Sequence, residues 1–111
     1  MNLIEELESQ LAGEESVFRA QLLREDVAHL RRLTEMADEH DDRDGFRKAG
    51  AYIGWTSGDM RTHELMEQLN PLLDAMWDWR RSDRMPKAEQ ALRAAWDRFH
   101  IERMRILLHC L

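Results

Sequence analysis

Two tryptophans separated by a single residue, Trp77 and Trp79 in the stretch NPLLDAMWDWRRSDRMP (70–86), set the hardest condition on this chain. Read as a helix, the stretch sends the two side chains out roughly 200° apart, at about 100° per residue. A helix on the outside of a small bundle buries one stripe, not two opposite ones. One tryptophan is therefore expected in a core and the other against a second partner. The spacing assigns Trp77 to the core. It makes Trp79, with Met76 and Leu72 one and two turns before it and Met85 beyond it, the candidate partner-binding surface. The alternative places both in the core, one at the bundle centre and one beneath an N-terminal arm. Arg80 and Arg81 come next and can lie over indole rings, a contact worth about 0.5–2 kcal/mol.

The rest of the chain reads as helix with few interruptions. Its 111 residues make one domain with a modest core, and two Pro with five Gly leave little room for long loops. Asn2 can cap a short amphipathic arm over Leu3, Ile4, Leu7 and Leu11, ended by Gly13. An arm this short is not stable alone and must dock. Ser16 caps a longer helix to about Glu39, in which Ala20, Leu23, Val27, Leu30, Thr34 and Ala37 alternate by three and four. DEHDDRDG (38–45) is an acidic break, with Asp44 as the expected cap of the next helix. As a calcium loop it lacks carboxylates at the first and twelfth positions, which His40 and Ala51 hold.

FRKAGAYIGWTSGD (46–59) is expected to be helical and broken near Ser57–Gly58, with Thr56 and Asp59 resembling a capping box. Gly50, Gly54 and Gly58 form a small-residue stripe that lets another backbone come close. The next helix is expected over Asp59 to Leu69, with Met60, His63, Met66 and Leu69 at core spacing. Asn70 and Pro71 then read as cap and first turn of a separate helix ending near Ser82. Pro86 opens the last helix. One of its stripes is Ala88, Leu92, Ala95 and Phe99; another is Trp96, His100, Met104, Leu107 and Leu111. The fold class is thus all-α, a bundle of four to five helices, with more apolar surface than one such bundle covers. A homodimer is the simplest explanation.

Charge narrows the partners. The net charge is −6, but residues 1–45 hold five Arg against thirteen acids, and residues 46–111 hold eleven bases against nine. The acidic half repels a phosphate backbone, which argues against nucleic acid. No apolar run reaches the roughly 18 residues of a membrane span. The acidic start has no basic n-region, so no signal peptide is expected. The single cysteine, Cys110, excludes an internal disulfide and predicts a reducing, cytoplasmic setting.

Catalytic chemistry finds little to stand on. Asp26 with His29, and Asp97 with His100, lie three apart as in helical-bundle metal sites, and His63 with Asp59 or Glu67 could add a third group. Those sites prefer Glu-x-x-His with further buried glutamates, so no metal and no cofactor is expected, and a metal-bundle enzyme is kept only as an alternative. Cys110 at the end of the chain lacks the rigid setting of a nucleophile.

In size, acidity, helix pattern and apolar helices the whole chain resembles the small bacterial antiactivators of quorum-sensing transcription regulators, of the QslA and TraM type. That resemblance implies a dimeric, non-enzymatic binder that occludes a regulator's dimerisation or DNA-binding surface. Phage-type inhibitors of host defence complexes share the same general character.

Overall fold

The structure is a computed structural model that describes residues 1–53, 55, 62–83 and 85–110, with backbone alone for 62–64 and 107–110. The described residues form five helices and no strand: α1 (Leu3–Gly13), α2 (Val17–Glu39), α3 (Arg43–Gly50), α4 (Thr62–Arg81) and α5 (Pro86–Cys110). No described helix is long and apolar enough to cross a membrane.

Local chemistry accounts for most helix ends. The Asn2 side chain accepts from the Glu5 amide while Glu5 reaches back to the Asn2 amide, a complete capping box. Ser16 caps α2 through the Arg19 amide. α3 departs from expectation. Asp42, not Asp44, is its cap, accepting from the Gly45 amide at 2.6 Å, and Asp44 falls in the first turn, where a carboxylate favours the helix dipole. The helix also stops at Gly50, and Ala51 to Ile53 turn out of it. The expected break at Ser57–Gly58, the Thr56–Asp59 capping box, Gly54, and the core roles of Met60 and His63 lie outside the described residues or side chains.

α4 corrects a second expectation. Asn70 and Pro71 do not begin a new helix; the helix runs through both. Proline there removes one backbone hydrogen bond and crowds the preceding turn, costing about 3 kcal/mol in an isolated helix. Two features offset this. Pro71 is exposed, so water can reach the carbonyl that lost its donor. In addition, Leu65, Leu69, Leu72, Met76 and Trp79 form one unbroken stripe spaced by four and three, all buried, which holds both halves of α4 to the same neighbours.

α4 is the helix every other long element leans on. α5 runs along it, and α2 and α3 pack on it as well. Gly50 is where α3 comes closest: a Cβ there would lie 2.7 Å from a Leu73 methyl and 3.3 Å from a Leu33 methyl. Trp77 meets the Phe46 ring of α3 at 5.6 Å. Met76 accepts a weak hydrogen bond from Thr34 of α2. With neighbours on more than one side, α4 buries both tryptophans, Trp77 at 8% exposure and Trp79 at 2%. The outward-facing Trp79 expected from spacing is therefore overturned. An outer helix buries one stripe, but α4 is a central one, packed by α2, α3 and α5.

The arm does dock. Leu3, Ile4 and Leu7 are buried, the Leu3 amide donates to Glu89 at 2.9 Å, and Arg93 of α5 pairs with Glu6. Arg31 of α2 pairs with Glu8. α1 is thus a strap joining α2 to α5, and apolar residues of all five helices feed one cluster.

Candidate functional site: the α1–α2–α5 groove

The most unusual part of the molecule lies beneath that strap. On α2, Leu23, Asp26, Leu30, Leu33 and Ala37 alternate by three and four, so Asp26 occupies a core position. On α5, Leu92, Trp96, Phe99, Arg103 and Ile106 alternate by four and three, so Arg103 does too. Asp26 is 1% and Arg103 4% exposed. They meet as a bidentate pair, Nη1 to Oδ1 at 2.5 Å and Nη2 to Oδ2 at 3.0 Å. Charges this deep are tolerated only when paired and further hydrogen-bonded, because each loses its hydration.

The extra bonds come from aromatic and imidazole side chains. Trp55, in the α3–α4 connection, donates its indole N–H to Asp26 Oδ1 at 3.3 Å. Its ring is wedged between Phe99 (4.9 Å), Trp96 (5.9 Å) and His29, on which it stacks at 4.8 Å. Arg103 Nη2 lies 3.0 Å from His100 Nδ1. A guanidinium can only donate, so Nδ1 accepts and the neutral ring carries its proton on Nε2. Burial, and then the Arg103 charge, hold the His100 pKa below the ordinary imidazole value, against smaller opposing effects of Asp26 and Asp97. Among the described residues, Arg103 Nε is buried without a hydrogen-bond partner.

This cluster stands where the helices themselves do not touch. Among the described residues, no Cα of α2 comes within 8 Å of one in α5. The gap is open as two adjoining cavities of ≈ 300 and ≈ 280 Å³, both bordered by Gln10 of α1, Leu23 and Asp26 of α2 and His100 of α5. The first runs under the strap to Leu3, Leu7 and Arg93, and the second runs out between Leu22 and Met104. Leu22, Leu23 and Met104 there are only half-buried, and exposed apolar residues stand near them in sequence on the same two helices. No residue of Val17–Glu25 is buried; Val17 is 85% and Phe18 57% exposed, and Ile101 of α5 is 67% exposed.

The residues first singled out fall elsewhere. Leu72, Met76 and Trp79 do form one coherent stripe, but the chain's own helices cover it, so they make no contact surface. Met85 is exposed, in the α4–α5 turn. Arg81 lies 3.7 Å above the Trp77 ring and Arg80 5.8 Å from that of Trp79, as their spacing suggests. Arg81 also donates to the carbonyls of Ala37 and His40 at the end of α2.

The paired Asp and His residues are also engaged otherwise. Asp26 belongs to Arg103 and Trp55, His29 lies on Trp55 with Nδ1 at 2.7 Å from the Glu25 carbonyl oxygen, and His100 faces Arg103. Among the described residues, no group of three or more His, Cys, Asp or Glu could hold a metal ion.

Sequence reasoning missed Arg103 and Trp55 as partners of Asp26. The signal that could have found them is a charge of each sign standing in an otherwise apolar seam.

No family model, curated protein or solved structure matches this chain. The groove's function has to be argued from its own geometry.

Proposed function

We propose that this chain is a non-enzymatic protein-binding regulator that acts by covering a surface of its partner, and that it binds through the outer end of the α2–α5 groove. The observation that carries this reading is the uncovered first third of α2. Val17 and Phe18 are exposed, and Leu22 and Leu23 in the next turn are half-buried and line an open cavity. Large apolar side chains left in water next to a concavity are the usual mark of an association surface. The resemblance to antiactivators points to a transcription regulator as the partner, with its dimerisation or DNA-binding surface occluded. A second copy of the chain can cover the same face, so self-association and partner capture compete for it.

Absence of catalysis fits the same geometry. The buried carboxylate and the imidazole nearest the groove are tied to Arg103 instead of standing free for proton transfer.

Replacing Phe18 by Glu tests the reading. The variant should keep its thermal midpoint, since Phe18 is largely exposed, yet lose both dimer in sedimentation equilibrium and partner capture from host lysate. An F18E chain that associates as the parent does would refute this surface.

A further inference from the structure

Asp26, Arg103 and His100 form a chain of three groups that ends on an imidazole, the side chain whose ordinary charge change lies nearest neutral pH. The geometry fixes what that change does. At neutral pH His100 Nδ1 is the acceptor for Arg103 Nη2 at 3.0 Å. A proton on Nδ1 removes that acceptor and places a second cation against the first. Arg103 cannot relieve the clash by losing a proton, because guanidinium stays charged. Among the described residues no spare acceptor serves Arg103, whose Nε is already buried without one. The pair with Asp26 must therefore carry the strain, and that pair is what bridges two helices whose backbones do not meet.

We propose that His100, Arg103 and Asp26 form an acid-sensitive latch, closed by neutral His100 at its Nδ1 and opened by protonation there, which sets the width of the α2–α5 groove. The latch does not depend on what the groove binds.

Charges face the imidazole from each element packed around it. On α5, Arg103 opposes protonation and Asp97 favours it; on α2, Asp26 favours it. α1 brings Glu6 and Glu14 to the groove, α2 also brings Arg19, and α5 also brings Arg93. Glu6 is already paired with Arg93, and Glu14 accepts from the Ser16 amide. Among the described residues, Arg103 is the charged group within hydrogen-bond reach of His100.

Linkage sets the sign. The closed state holds the His100 pKa below its unfolded value of about 6.5. The closed, folded state thus enjoys its full advantage above that value. It loses the advantage as pH falls from there through the folded-state pKa.

Two readouts on the full chain test the latch without any partner. Long-range proton–nitrogen NMR at about pH 7.5, above the imidazole range, should show His100 as the neutral Nε2–H tautomer. On acidification His100 should titrate below about pH 6.5, and the Trp55 indole signal, which reports its bond to Asp26, should shift with the same midpoint. A His100→Asn variant, with an amide oxygen near the position of Nδ1, should remove that transition from the Trp55 signal. An Nδ1–H tautomer, a His100 midpoint at or above about 6.5, or a Trp55 signal indifferent to the titration would each overturn the proposal. So would a folded H100N chain that keeps the transition. The tautomer and the midpoint are read on the parent chain, so the test holds even where the variant does not fold.

Discussion

The two ends of α2 are built in opposite ways. Its C-terminal half buries Leu30, Leu33, Met36 and Ala37 and keeps its ion pairs at the rim, where Arg80 meets Asp38 and Arg32 meets Glu35 and Glu39. Its N-terminal half buries an ion pair, exposes Val17 and Phe18, and leaves Leu22, Leu23 and Val27 only half-buried. The first arrangement is what burial energetics favour in a stable bundle. The second runs against those energetics, which sets the groove apart from the tryptophan-rich helix.

The comparison predicts unequal responses to substitution. The largest should come at Asp26. Asp26→Ala strands Arg103 in the interior and should lower unfolding free energy by about 3–5 kcal/mol in urea titration. Replacing both partners together, Asp26→Leu with Arg103→Met, should recover most of that loss. A double variant as unstable as the single one would mean that the site needs the pair for packing as well as charge. At the other end of α2, Gly50→Ala pushes a methyl against Leu73 and Leu33, and should cost about 1–3 kcal/mol by overpacking. Arg80→Ala removes a pair whose carboxylate is half exposed and should cost at most about 1 kcal/mol. An Arg80 effect as large as that of Asp26 would erase the distinction between the ends. Smallest of all should be the stability change in the F18E chain, within about 0.5 kcal/mol as for ordinary surface positions.

What could be read in the sequence was what neighbouring residues decide among themselves. The Asn2 and Ser16 caps, the amphipathic arm and the placing of Arg81 over Trp77 all depend on residues close together in the chain. The choice of Asp44 over Asp42 missed by half a turn, because both acids suit a cap and only the backbone decides. Pro71 misled for a different reason. Its local preference for a helix start was real, but the stripe from Leu65 to Trp79 outweighed it. The burial of Trp79 depended on how many helices surround α4, which no property of the stretch itself reveals. The site was the least legible part. Asp26 and Arg103 stand 77 positions apart, and the seam drawn on α2 ran through Val27 and Thr34 instead of Asp26 and Leu33.

The bare first third of α2 has one more consequence. Residues 17–25 bury no side chain fully, while Leu30, Leu33, Met36 and Ala37 are buried in the common core. One continuous helix therefore spans two regimes of cooperativity. Native-state hydrogen exchange should find a gradient along it, with amides before Asp26 opening in small local excursions and those after Leu30 opening only when the whole domain unfolds.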